Sequence, residues 1–176
     1  MALNYLHLDK TTRDCMLQEL ENDRKDEKIY LSPRLNQQDV LQWEPLLREA
    51  FQNHDDAWLA NEITSQSLLK NREFYTRNGH IQERSVPSNA AEMLAEGEFN
   101  RYYIRALCLR AIKDGIPHLI AYRARASSIP RAATEEKIDQ PYNPTQVLQD
   151  LRTSIGVEPA LGIPPGPNSG LSLRLP

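Results

Sequence analysis

The chain has 176 residues, with 21 Lys and Arg against 24 Asp and Glu for a formal charge of −3 at pH 7. At roughly 100–200 residues per domain that is one domain with room for appendages. No run of about 18 apolar residues occurs, so no helix spanning a membrane is expected, and a hydrophobic share of 40% predicts a modest core. The opening MALNYLHLDK lacks a basic region followed by an apolar one, so secretion is not expected. Cys15 and Cys108 fall inside helical patterns, which suits a reduced, cytosolic setting.

Charge is unevenly distributed. Residues 1–60 hold seven basic and twelve acidic residues, whereas residues 100–131 hold seven basic residues and one acid, Asp114. Arg101, Arg105, Arg110, Arg123 and Arg125 in that band form a candidate face for DNA or for electrostatic docking between copies. The competing reading pairs these arginines with the acidic N-terminal helix inside one fold.

Taken in chain order, Asp9 is positioned to cap a first helix running to about Asp26, with Met16 and Leu20 four apart. The charged stretch ENDRKDEK after Leu20 predicts a helix end projecting into solvent. Ile29-Tyr30-Leu31 ends at Ser32-Pro33, and the proline pushes Ser32 out of helical geometry. Asn36 and Asp39 resemble a capping box before Val40, Leu41 and Trp43. Pro45 fits the first turn of a new helix carrying Leu46, Leu47, Ala50 and Phe51. Asp55 or Asp56 then caps a short helix with Trp58, Leu59 and Ile63.

Near residue 73 the period changes from helical to alternating. Phe74-Tyr75-Thr76-Arg77 and His80-Ile81-Gln82-Glu83-Arg84 flank Asn78-Gly79, a strong signal for a hairpin at about 73–86. An isolated hairpin is marginal in water, so it must lie on the body or on a neighbouring chain. Asn89 and Glu92 suggest a cap for the longest helix, about 90–114, with Gly115 as its stop and a kink expected at Gly97. Arg101 and Arg105, four apart, predict a basic ridge. Residues 118–125 read as a strand with Ile120, Tyr122 and Ala124 on one face. Asn143, Pro144 and Gln146 open a last helix bearing Val147, Leu148 and Leu151.

Residues 156–176 contain four of the seven glycines and five of the twelve prolines, with Leu161, Ile163, Leu171, Leu173 and Leu175 spaced along them. Such a Pro-rich arm loses little entropy on docking, and LSLRL alternates like a strand added to a sheet edge on a partner. Leu161, Ile163, Leu171, Leu173, Leu175 and Arg174 are therefore the candidate partner-binding residues. On this reading a chain lacking residues 159–176 keeps its helical body and loses only assembly.

No catalytic, cofactor or metal signature is found. His7, His54, His80 and His118 are scattered, and no HExxH, GxGxxG or phosphate loop occurs. Cys108 among Leu107, Leu109 and Ile112 reads as structural. Ser127, Ser128 and Ser169 have no base nearby in sequence. Glu96 and Glu98 form an acid/base pair only if buried, and their place beside Gly97 predicts exposure.

Three stretches, LDKTTRDCMLQELENDRKDEKIYLSPRLN, EGEFNRYYIRALCLRAI and GIPPGPNSGLSLRLP, cover 61 of the 176 residues. They resemble proteins of tailed bacteriophages encoded near capsid genes, and the layout is similar to head-completion or head–tail adaptor proteins. The resemblance implies a non-enzymatic virion structural protein assembled in the host cytoplasm. Its implied partners are copies of itself in a ring, portal, neck or capsid proteins, and non-specific contact with packaged DNA. It implies no cofactor and no membrane. A capsid cement protein, a cytosolic nucleic-acid-binding regulator and a small enzyme with a site assembled from distant residues stand as alternatives. The expected architecture is mainly α with a small β component, a hairpin plus a short strand. A helical body over 1–155 would carry an extended docking arm over 156–176.

Overall fold

The computed structural model of the chain describes residues 2–126, 132–166 and 169–176; Ser127, Ser128 and Arg131 lie outside them. The fold is mainly α with a small β component, as the periodicities predict. Helix α1 (Lys10–Lys25) starts where the Asp9 carboxylate accepts the Thr12 amide. A short 3-10 turn, Gln37–Asp39, leads into α2 (Val40–Asn53), and α3 (Asp56–Ser65) begins where Asp55 accepts the Trp58 amide. Strands β1 (Arg72–Arg77) and β2 (His80–Ser85) form the hairpin, with Asn78 and Gly79 at φ 52° and 77° as a type I′ turn needs.

Helix α4 (Ala90–Lys113) is the axis of the molecule: sixteen of its 24 residues are buried, so no single polar face remains. Helices α1, α3 and α6 (Pro144–Thr153) pack around it. Phe51, Phe99, Tyr102, Tyr103 and Tyr5 interlock over it with ring centroids 4.7–5.5 Å apart, a spacing at which tilted and edge-on pairs attract. The helix runs unbroken through Gly97. Neither Asn36 nor Asn89 makes a side-chain cap hydrogen bond, whereas Asn143 accepts the amides of Thr145 and Gln146 at the start of α6. Pro45 lies within one continuous α2 rather than opening a new helix. The Leu41 carbonyl, four residues earlier, is the one that forgoes a helical donor, and Leu41 is 88% exposed, where water can substitute.

The chain after α4 forms a second sheet in the order β4–β3–β5: β3 (Leu119–Arg123), β4 (Pro141–Tyr142) and β5 (Leu171–Arg174), all antiparallel, with the short α5 (Ala132–Glu135) between β3 and β4. Strand β3 was expected to bury one face, and it buries both. Leu119 and Ala121 join the main core, while Tyr122 and Ala124 are covered by Leu3. The N-terminal segment is held there by the Asn4 amide on the Ala124 carbonyl at 2.9 Å and by the Tyr122 hydroxyl on the Asn4 carbonyl at 2.6 Å.

The C-terminal residues do add a strand to a sheet edge, but the sheet is the chain's own. Ala121 pairs with Leu173 and Arg123 with Leu171. Ile163, Leu171 and Leu173 sit in the main core at 1%, 0% and 0% exposure, so the assignment of these three as partner-gripping surface is corrected. Leu175 packs against the same core, Arg174 lies near Asp139, and among the six arm residues Leu161 is the one exposed large apolar side chain. On α4, Asn100 fastens the strand: its side-chain amide donates to the Leu171 carbonyl and its oxygen accepts from the Ser172 hydroxyl. Gly170, at φ 65°, passes so close to β3 that a Cβ would meet the Arg125 carbonyl oxygen at 2.8 Å, which only glycine avoids.

Leu173→Ala is expected to cost about 2–5 kcal/mol as a fully buried leucine truncation. Removal of residues 169–176 is expected to abolish cooperative unfolding, not merely assembly; urea denaturation followed by circular dichroism checks both.

Candidate functional site

Each arginine of the supposed basic face is committed to an acid of the same chain. Arg105, 1% exposed, donates to Glu19 from Nε at 2.8 Å and to Asp23 from both Nη atoms at 2.6 and 2.9 Å. The Tyr102 hydroxyl donates to Asp23 at 2.7 Å, and Arg152 of α6 closes the cluster on Glu19. Arg110 reaches Asp9 and Thr12, Arg123 reaches Glu135, Arg125 reaches Glu96, and Arg101 donates to Glu98 at 2.7 Å. The predicted basic ridge of Arg101 and Arg105 is therefore buried, and the DNA-facing assignment is corrected for these two; Arg110, Arg123 and Arg125 stay partly exposed beside their acids. For Arg105 and Arg110 the acids that answer them lie in or beside α1, as the competing reading held.

The end of α1 projects into solvent after Leu20 as expected, with Asn22 and residues 24–28 exposed, except at Asp23. Asp23 is 4% exposed and Glu19 is 0% exposed, on the same stripe as Met16 and Leu20. Burial raises both carboxyl pKa values. The arginine hydrogen bonds, from Arg152 and Arg105 to Glu19 and from Arg105 to Asp23, outweigh it and hold both below their ordinary range.

Two surfaces remain unabsorbed by this internal pairing. The first is the hairpin. Its register puts Glu73 and Tyr75 on one face with Gln82 and Arg84. That face is internally bonded: Tyr75 hydroxyl to Gln82 at 2.7 Å, Arg84 to Glu73 at 2.7 Å, Arg84 over the Tyr75 ring at 4.8 Å. Arg34 anchors it to the body through Glu73 at 2.6 Å. The opposite face carries Phe74, Thr76 and Ile81, with Phe74 72% and Ile81 77% exposed, beside Ser85 and an Arg72–Glu83 ion pair at 2.7 Å. Neither strand packs broadly on any other described element. The apolar face of this amphipathic hairpin thus points away from the protein that bears it. Beside α1 and α2, Ile29, Leu31, Val40 and Trp43 line a shallow notch of about 210 Å³ bounded by Asp23, Arg24, Glu27 and Glu44.

The second is a cleft of about 330 Å³ where the middle of α4 meets Tyr30–Arg34 and the segment Ser154–Gly166. Gly97, Glu98 and Arg101 lie on its α4 side. Glu96 and Glu98 are 4% and 6% exposed, which corrects the expectation that they are solvent-facing. Burial pushes the Glu98 carboxyl upward in pKa, with Arg101 partly opposing it. Arg101 is 5% exposed, and its Nε and Nη1 have no hydrogen-bond partner among the described residues. The long-range meeting of residues 30–34, 90–101 and 154–166 leaves no local signature. The one hint within the sequence was Gly97 itself, a costly residue in the interior of a helix.

Among the described residues no group of three or more His, Cys, Asp and Glu side chains is placed to hold a metal ion, and no helix is long and apolar enough to cross a membrane. Cys108 is buried and burial raises its thiol pKa far above the reactive range. The chain matches no family model, no curated protein and no solved structure.

Arg105→Met strands the buried Asp23 carboxylate with only the Tyr102 hydroxyl, leaves Glu19 to Arg152 alone, and is expected to cost about 3–5 kcal/mol at pH 7. Because the folded-state pKa values of Glu19 and Asp23 are depressed, their contribution is complete above about pH 4 and is lost as pH falls through the folded values. The gap between wild type and variant should therefore narrow on acidification, as the stranded carboxyls protonate. Urea midpoints measured from pH 7 to pH 3 check this.

Proposed function

We propose that the protein is a virion structural subunit of the head-completion or head–tail adaptor kind, which closes into a ring by packing its hairpin on the next copy. The observation that carries this reading is the outward-facing Phe74–Thr76–Ile81 surface. Burial of Phe74 and Ile81 contributes about 1.5–3 kcal/mol each before ordering costs, and repetition around a ring multiplies the gain. The three stretches that resemble tailed-phage proteins support the same role. The grip belongs to the hairpin and not to the C-terminal arm, whose leucines are consumed by the chain's own core.

The occupant that suits the hairpin best is the notch of a second copy. Arg72, Arg84, Glu73 and Glu83 of the hairpin, and Asp23, Arg24 and Glu44 at the notch, are already paired within the chain. Arg77 beside the turn and Glu27 on the notch rim have no ion pair among the described residues, so a contact between copies supplies each with one. Two different patches meet in such a contact, which is heterologous and generates a ring when the rotation closes. The function is assembly and involves no catalytic step.

Sedimentation equilibrium tests this. Wild type is expected as a closed oligomer at micromolar concentration. Phe74→Asp and Arg77→Glu should give folded monomers, and Glu27→Arg should restore assembly to the Arg77→Glu chain. A wild type that stays monomeric throughout, or an oligomer indifferent to these changes, would overturn the proposal.

A further inference from the structure

The cleft on α4 is independent of the hairpin and has the features of a small-molecule site. Arg101 keeps two donors without partners in a place shielded from bulk water. An unmet buried N–H is costly, and a charged one more so. Native folds seldom leave such a donor unless something arrives to satisfy it. The position before it on the cleft wall is also unusual. A Cβ added at Gly97 would meet nothing within 4 Å, so close packing does not require the glycine. Glycine there costs about 1 kcal/mol of helix propensity relative to alanine, and what it provides is open volume. The cleft volume, about 330 Å³, lies at the lower end of the range for small-ligand pockets.

The lining decides the class of ligand. Met93, Leu94, Val157, Pro159 and Pro164 supply the apolar part of the lining, with Arg34 as a second cation besides Arg101. Glu96, Glu98 and Glu158 also line the cleft and oppose a dianion such as phosphate. A monoanion faces less repulsion from these carboxylates than a dianion does.

We propose that this cleft binds a small monocarboxylate, its anionic end on the unpartnered Arg101 donors and its apolar body against the Met93–Leu94 and Val157–Pro159 walls. The site adds a ligand to the protein and does not depend on the assembly role, because none of the hairpin residues Phe74, Arg77 or Ile81 lines it.

Titration of the full chain with sodium benzoate, sodium hexanoate, benzamide and inorganic phosphate, followed by the Arg101 side-chain NMR signals and by thermal melting, tests the proposal. At least one carboxylate should bind saturably, shift the Arg101 Nε resonance and raise the melting temperature. Neutral benzamide and phosphate should do neither. Arg101→Gln should weaken carboxylate binding by about tenfold or more. Gly97→Leu, which places a bulky side chain in the cleft one turn before Arg101, should abolish binding while the helix content is kept. The same titration on the Phe74→Asp chain should be unchanged, which separates failure of this site from failure of the ring. Absence of saturable carboxylate binding, equal binding of benzamide, a response to phosphate alone, or undiminished binding by Gly97→Leu would each overturn it.

Discussion

The structure turns on burying one arginine with two carboxylates. Arg105 projects from the middle of α4 into α1, where Glu19 and Asp23 receive every direction of its guanidinium, and Arg152 ties α6 to the same point. Such a cluster need not be more stable than an apolar one of equal volume, because desolvation of the charges offsets most of their attraction. What it imposes is registration. Glu19 and Asp23 stand four apart on α1 and meet Arg105 only at one rotation and one height of the helix pair. The aromatic layer of Phe51, Phe99, Tyr102 and Tyr103 is set by that same register.

A second constraint comes from closing the body. The sheet β4–β3–β5 has its last strand supplied by the end of the chain, so the segment joining α6 to β5 must wrap over the molecule. Its glycines and prolines serve that path. Gly170 admits the close approach to β3, and Asp150 accepts the amides of Ala160 and Leu161 to fix the turn after α6. The wrapped segment also forms one wall of the cleft whose opposite wall is Gly97 to Arg101. The architecture that consumes the arm therefore creates the pocket.

Local signals in the sequence located most elements. Asp9 and Asp55 cap, Asn78-Gly79 turns, and Asn143-Pro144 starts a helix, each through contacts within three residues. Leu171-Ser172-Leu173 was legible as a strand, yet its partner was not, because pairing with Ala121 is a relation across about fifty residues that no local period encodes. Asp23 and Arg105 were misplaced for a different reason. Charge read along one helix signals solvent, and only the opposing charge on a second helix makes burial affordable; Arg101 is buried against Glu98 of its own helix. The hairpin was expected to lie on the body or on a neighbouring chain, and within the subunit it packs broadly on no other described element.

The account thus assigns the leucines of the arm to the subunit's own core and the apolar face of the hairpin to a neighbour. Hydrogen–deuterium exchange on the wild-type chain, compared between dilute and assembled samples, separates these assignments most directly. Slow exchange at Ser172–Arg174 in both samples, with hairpin amides fast when dilute and slow when assembled, is the predicted pattern. Rapid exchange at Ser172–Arg174 in dilute samples that slows only on assembly would contradict it, because it would place the arm, and not the hairpin, at the junction between copies.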